Sequence, residues 1–163
     1  IEMLEIRKGT PGDVNALAAV EKECFPPAEA ATKEILQKRL ACYGNHFWLL
    51  MKDGKLISFV DGMVTDEPDL KDEMYEKAEM HKESGQWQMI FGVNTIPAKR
   101  RRGYAAQVLH RVIADAKAQG RKGLVLTCKK ALIPYYGKFG FEEEGKSESV
   151  HGHVTWYQMR LTF

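Results

Sequence analysis

Several absences narrow the reading of this 163-residue chain. No apolar run reaches the roughly 18 residues a membrane helix needs, so no membrane partner is expected. The chain has only three cysteines, Cys24, Cys42 and Cys128, and no CxxC pair. An odd, scattered count argues against a disulfide scaffold or a zinc site and fits a reducing, cytoplasmic compartment. No metal is therefore expected. The opening residues, Ile1-Glu2-Met3-Leu4, lack a basic segment followed by an apolar one, so no secretory leader is expected. Repeats, low-complexity tracts and Gly/Ser linkers are also missing, and residues 1–163 read as a single domain. Charge of one sign is not in excess: 24 Lys and Arg face 22 Asp and Glu. That balance gives no bulk argument for nucleic acid.

What is present is an ordinary globular composition, 44% apolar and 28% charged. Its charge is unevenly spread. Residues 66–84 hold eight acids and three bases, while residues 99–102 read Lys-Arg-Arg-Arg. Residues 3–7 suit a short strand. Thr10-Pro11-Gly12-Asp13 opens a helix with a cap and a proline in its first turn, and Val14, Leu17, Ala18 and Glu21 follow at helical spacing until Phe25-Pro26-Pro27. Thr32 caps a second helix carrying Ile35, Leu36, Leu40 and Tyr43. His46 to Met51 and Leu56 to Val64 form a hairpin about Asp53-Gly54. The acidic segment after Thr65 reads as a loop with room for one helix. Trp87 to Asn94 is a strand, and Gly103 to Gln119 is the clearest amphipathic helix, closed by Gly120. Gly123 to Cys128 is a strand buried on both faces. A short helix over Ala131 to Phe139 and strands over Phe141 to Gly145 and Val154 to Leu161 complete the order βααβββαβαββ. The strand–helix–strand crossover from Trp87 to Cys128 implies two parallel strands.

The residues Arg100-Arg101-Arg102-Gly103-Tyr104-Ala105 lie between a strand and that long helix. A helix N-terminus offers free N–H groups and partial positive charge, and glycine allows close backbone approach, so the loop suits phosphate or pyrophosphate. It lacks the Gly-Lys-Ser/Thr ending of a Walker loop and the three glycines of a dinucleotide fingerprint. A solvated basic turn, or a basic module binding nucleic acid through residues 99–102, are the rival readings.

Arg100-x-x-Gly103-x-Ala105 after a strand resembles the acetyl-CoA pyrophosphate signature of the GNAT N-acetyltransferases. The order of elements is similar to that fold, a central mixed, mostly antiparallel sheet flanked by helices. Leu126 to Phe141, with its Cys, Ala-Leu-x-Pro and Tyr before Phe-Gly-Phe, resembles the arylalkylamine (serotonin-type) branch. Phe25-Pro26-Pro27-Ala28-Glu29-Ala30 resembles a segment of that branch's non-vertebrate members. The resemblance implies acetyl transfer from acetyl-CoA directly to the primary amine of a small arylalkylamine or polyamine. Peptide N-termini, lysines and aminoglycosides are the alternative acceptors. A monomer or homodimer is expected.

By the same resemblance, Phe91, Gly92 and Val93 line the pantetheine and acetyl carbonyl. Arg100, Arg101, Arg102, Gly103, Tyr104, Ala105 and Ala106 receive the pyrophosphate. Tyr136 protonates the departing thiolate. The two histidines that serve as bases in vertebrate members are replaced by Trp87 and Met89, which accept no proton. Glu29 is the substitute base implied, with Asp66, Glu67 and His81 as runners-up. Phe25, Trp87 and Trp156 are the candidate walls for the amine, each with a plain core role as the other reading.

Overall fold

The computed structural model describes residues 3–163; Ile1 and Glu2, the start of the segment read as carrying no leader, lie outside it. Strand β1 (Leu4–Lys8) runs antiparallel to β2 (Phe47–Lys52), and β2 pairs with β3 (Lys55–Asp61) through the Asp53-Gly54 turn. Between β1 and β2 come α1 (Val14–Cys24) and α2 (Lys33–Tyr43). The Thr10–Asp13 capping box opens the first, and the Thr32 hydroxyl accepts the Ile35 N–H at the start of the second. The two-residue β4 (Val64–Thr65) and short α3 (Asp72–Glu76) follow, then a 3-10 turn over Ala78–Met80, so the acidic segment is loop with one short α-helix in it.

The strand expected over Trp87 to Asn94 is two strands, β5 (Trp87–Ile90) and β6 (Gly92–Thr95), broken at Phe91. The strand expected over Leu56 to Val64 breaks opposite it, between Asp61 and Val64. The apolar pattern continues through both. Gly92, however, suits a bulge or close backbone approach, and the resemblance implies a bulge there, so the break at Phe91 is expected while the one after Asp61 is not. Helix α4 (Tyr104–Ala118) then leads to β7 (Gly123–Cys128), α5 (Ile133–Gly137), β8 (Glu142–Lys146) and β9 (Tyr157–Thr162). With each split strand counted once and α3 added, the order agrees with that expected from sequence.

Strand order is β1-β2-β3-β6 in one sheet and β4-β5-β7-β9-β8 in the other. β5 and β7 are parallel, ending at Ile90 opposite Leu126. Beyond that pair, β6 turns to β3 while β7 continues beside β9. The two halves of the sheet therefore part at Phe91, leaving a wedge between Gly92–Thr95 and Thr127–Cys128. One core packs α4, through Val108, Leu109 and Val112, against Trp48, Val60 and Leu124. A second packs Leu17, Leu36, Leu40 and Phe47 beneath α1 and α2. At the outer edge, β8 presents Glu142, Glu143 and Glu144, all exposed.

Candidate active site

A cleft of about 990 Å³ enters the wedge, at the upper end of the roughly 300–1,000 Å³ common for small-molecule sites. One end is the basic loop. Gly103 has φ +80°, the left-handed region that glycine adopts without strain, and a Cβ there would meet nothing. No side chain caps α4, and its first internal bond runs from Gln107 N–H to the Gly103 carbonyl. The N–H groups from Gly103 to Ala106 thus have no intrahelical partner. Arg100 ties the loop down, its Nε donating to the Thr95 carbonyl at 3.1 Å. Lys99, Arg100, Arg101, Gly103, Tyr104, Ala105 and Ala106 line this end, whereas Arg102 is exposed outside it. An uncapped helix end beside three arginines fits a diphosphate.

The wedge itself is bordered by Phe91, Gly92 and Val93 on one side and Leu126, Thr127 and Cys128 on the other. Tyr136, on α5, lines it and is 7% exposed. Burial, then the neighbouring Cys128 and Tyr135, push its phenol well above the ordinary range, so it stays protonated as a donor. Burial also raises the Cys128 thiol to about 11, and the group rests 3.7 Å from Met159 Sδ. That is a packed thiol rather than a nucleophile.

The far end is aromatic. Tyr75 stacks on His151 with ring centroids 5.0 Å apart and planes 8° from parallel, and Phe91 and Trp156 extend the row on either side. Phe25 and Trp156 line the cleft. Trp87 does not. It sits at the opposite end of β5, paired with Thr65 and Gly123, with Arg160 stacked over its ring at 4.6 Å. Four residues of strand, about 13 Å, separate it from Phe91.

Glu29 lines the cleft but is already paired: Lys129 Nζ lies 3.0 Å from Oε1 and 3.1 Å from Oε2. His151 Nε2 donates to the Glu29 carbonyl at 2.8 Å. The runners-up lie elsewhere. Asp66 pairs with Lys82 and Glu67 with Lys71. His81 belongs to a knot in which His46, His81, Asn45 and Arg121 all approach the Glu83 carboxylate. Burial opposes its ionisation, but hydrogen bonds from His46, His81 and Asn45 hold Glu83 down at about 2. Its role there is to pin the loop before β5.

Three buried polar residues escaped the sequence reading. Arg39 on α2 donates to Asp61 Oδ2 at 2.9 Å and to the Tyr75 carbonyl at 2.8 Å, and its guanidinium lies 4.8 Å from the Phe91 ring. It fastens β3, α3 and the break at Phe91 together. Glu21 in the last turn of α1 completes the group. The available signal was an acid inside the apolar 14-17-18-21 set, a position where a surface glutamate does not belong.

The sequence model of the Acetyltransferase (GNAT) family matches residues 14–141. The chain belongs to that family. It is an acetyl-CoA-dependent N-acetyltransferase. It is similar to the serotonin N-acetyltransferase of Mesocricetus auratus, 24% identical over 97% of this chain and 77% of that one. In fold it is similar to the loading GNATL domain of CurA from Lyngbya majuscula, with TM-score 0.85, 15% identity and 98% of each chain covered. It also resembles the PaiA N-acetyltransferase of Thermoplasma acidophilum in complex with coenzyme A, with TM-score 0.73, 16% identity and 99% of each chain covered. Among the described residues, no helix is long and apolar enough to cross a membrane.

The charge at the mouth of the loop is open to test. Arg102→Glu reverses a rim charge without touching the helix end. It is expected to raise the Kd for coenzyme A several-fold at low salt, an effect that shrinks as ionic strength shortens the roughly 10 Å screening length. Calorimetry at two salt concentrations checks it.

Proposed function

We propose that this acetyltransferase modifies the primary amine of a small arylalkylamine, with acetyl-CoA as donor. The observation that carries this reading is the row Phe91, Tyr75, His151 and Trp156 along the acceptor end. Flat rings offer an aryl group stacking area, and cations are attracted to their faces. The cleft supplies carboxylates at this end, Glu21 and Glu29, for the ammonium. The Lys129 ammonium, between Glu29 at 3.0 Å and the Trp156 ring at 5.9 Å, is held by the same kind of contacts an alkylammonium would use. The similarity to a protein named for serotonin supports the same class.

In this reading, Phe91 to Val93 and Tyr136 surround the reacting end. The coenzyme supplies an activated acetyl thioester. The Phe91 N–H is taken by the Asp61 carbonyl at 2.7 Å, so a backbone donor for the thioester oxygen, where developing negative charge is stabilised, would come from Gly92–Val93. Tyr136 holds a proton for the sulfur.

A panel of arylalkylamines, polyamines and N-terminal peptides, followed by release of free thiol from acetyl-CoA, tests the acceptor class. Phenethylamine and tryptamine are expected to give the highest kcat/KM. Faster turnover of peptides or polyamines would overturn the assignment.

A further inference from the structure

We propose that Glu21 is the general base that takes the proton from the acceptor ammonium; this rests on the amine-acetylating reading above. Glu21 lies at the floor of the cleft and is 6% exposed. Its carboxylate is aimed: Oε2 accepts the Ala31 N–H at 3.0 Å, which turns Oε1 toward Gly92. A Cβ built on Gly92 would lie 3.8 Å from Glu21 Oε1, 3.5 Å from Asp61 Oδ1 and 3.0 Å from Asn94 Nδ2. The residue at the break in the strand, beside the thioester position, therefore has a notch bordered by three polar atoms where other residues carry a side chain.

The charges around the notch do not balance. Glu21 and Asp61 face one cation, Arg39, and both guanidinium Nη groups are engaged, with Asp61 and with the Tyr75 carbonyl. Asp61 Oδ1 has no hydrogen-bond partner, and the Asn94 amide is the neutral group that faces Glu21. Glu21 is the one buried carboxylate of the cleft without an ion-pair partner among the described residues; Glu29 has Lys129 and Asp61 has Arg39. An ionised Glu21 leaves the cluster one negative charge in excess, and a substrate ammonium supplies the missing cation. Once the proton has moved, both the nitrogen and Glu21 are neutral, which a buried site favours.

The surroundings also set the affinity of Glu21 for a proton. Burial raises its carboxyl to about 7, with Asp61 from β3 adding to the rise, while the Ala31 N–H and Arg39 from α2 oppose it. Cys24 on the same helix, Tyr75 from α3 and Arg100 from the basic loop also line the cleft. A base near neutrality accepts a proton readily and is still ionised at working pH.

The bookkeeping of the step is closed. The ammonium N–H bond breaks and its proton goes to Glu21. The freed nitrogen pair forms the C–N bond as the C–S bond breaks. The thiolate takes a proton from Tyr136, the second nitrogen proton restores that phenol, and Glu21 returns its proton to solvent.

The test is Glu21→Gln, which keeps shape and the Ala31 hydrogen bond. With acetyl-CoA and phenethylamine, the unaltered chain is expected to show kcat/KM rising with pH through a midpoint near 7. Glu21→Gln should lose about 100-fold in kcat and the inflection with it, at unchanged coenzyme affinity. Glu29→Gln should instead raise the KM for the amine and keep the inflection. A second readout needs no acceptor. A carboxyl raised from 4.5 to about 7 on folding makes the native state bind the extra proton, so stability falls as pH rises from 4.5 to 7 and is flat above. Glu21→Gln should remove that fall from urea midpoints. An unmoved inflection in Glu21→Gln, or the same stability fall in both chains, overturns the proposal. If no arylalkylamine is turned over while the stability fall is present and depends on Glu21, the acceptor class is what fails; the rate profile is then read with whichever panel amine is acetylated.

Discussion

Replacing Tyr136 by phenylalanine is expected to lower kcat by about 100-fold while the Kd for acetyl-CoA stays within about two-fold, as for loss of a general acid. The phenol faces the wedge where β6 and β7 part, and its ring packs edge-on against Tyr135 and Phe141. Phenylalanine keeps those ring contacts and removes only the proton donor. The donor is held in its protonated form by burial and by the Cys128 and Tyr135 groups beside it. A departing thiolate, whose acid has a pKa near 8.5, is a weaker base than the phenolate left behind, so the Tyr136 proton moves to sulfur as the second nitrogen proton replaces it. The result to look for is a split: turnover falls, coenzyme affinity does not. Steady-state rates set beside calorimetry decide it. Unchanged turnover would remove Tyr136 from the chemistry.

The second large effect is structural. Arg39→Met should destabilise the fold by about 3–5 kcal/mol, the range for removing one partner of a buried ion pair. Methionine approximates the length of the stem but leaves Asp61, 1% exposed, with no cation. The Tyr75 carbonyl loses its donor as well. For a domain of this size each kcal/mol shifts Tm by roughly 2–4 °C, so the melt should move by about 6–20 °C. Asp61 resists charging alone at any pH where it is buried, since burial has already pushed its carboxyl upward against the opposing pull of Arg39. The double variant Arg39→Met, Asp61→Leu should recover much of the loss, because replacing both charges with apolar groups removes the unpaired one. Urea melts of the two single variants and the double variant form the cycle that measures the coupling.

The long elements were legible in the sequence for ordinary reasons. Helix α4 carries apolar residues on one face between a glycine at each end, and the Asp53-Gly54 turn is unmistakable between apolar runs. The anion loop was legible because its chemistry lies in backbone and a glycine, both fixed by local sequence. What stayed hidden depends on distance in the chain. Gly92 marks the break at Phe91, but its direction, β6 turning to β3 while β5 stays with β7, is set by partners 31 to 37 residues away. Trp87 looked like a pocket wall by type, but position along β5 puts it at the closed end. Glu29 looked free until Lys129, 100 residues on, was seen against it. Glu21 and Arg39 come from separate helices and meet only in the folded chain.

The row Glu142, Glu143, Glu144 along β8 has a bearing on how copies of this chain can meet. An edge strand offers open backbone groups to any passing strand, and stacking two such acidic borders would set like charges about 5 Å apart. Lateral growth of the sheet is therefore discouraged on that flank. The opposite border at β1 carries Glu5, Arg7 and Lys8 beside Leu4, so its charges are of mixed sign and the two flanks differ in what they offer a neighbouring strand.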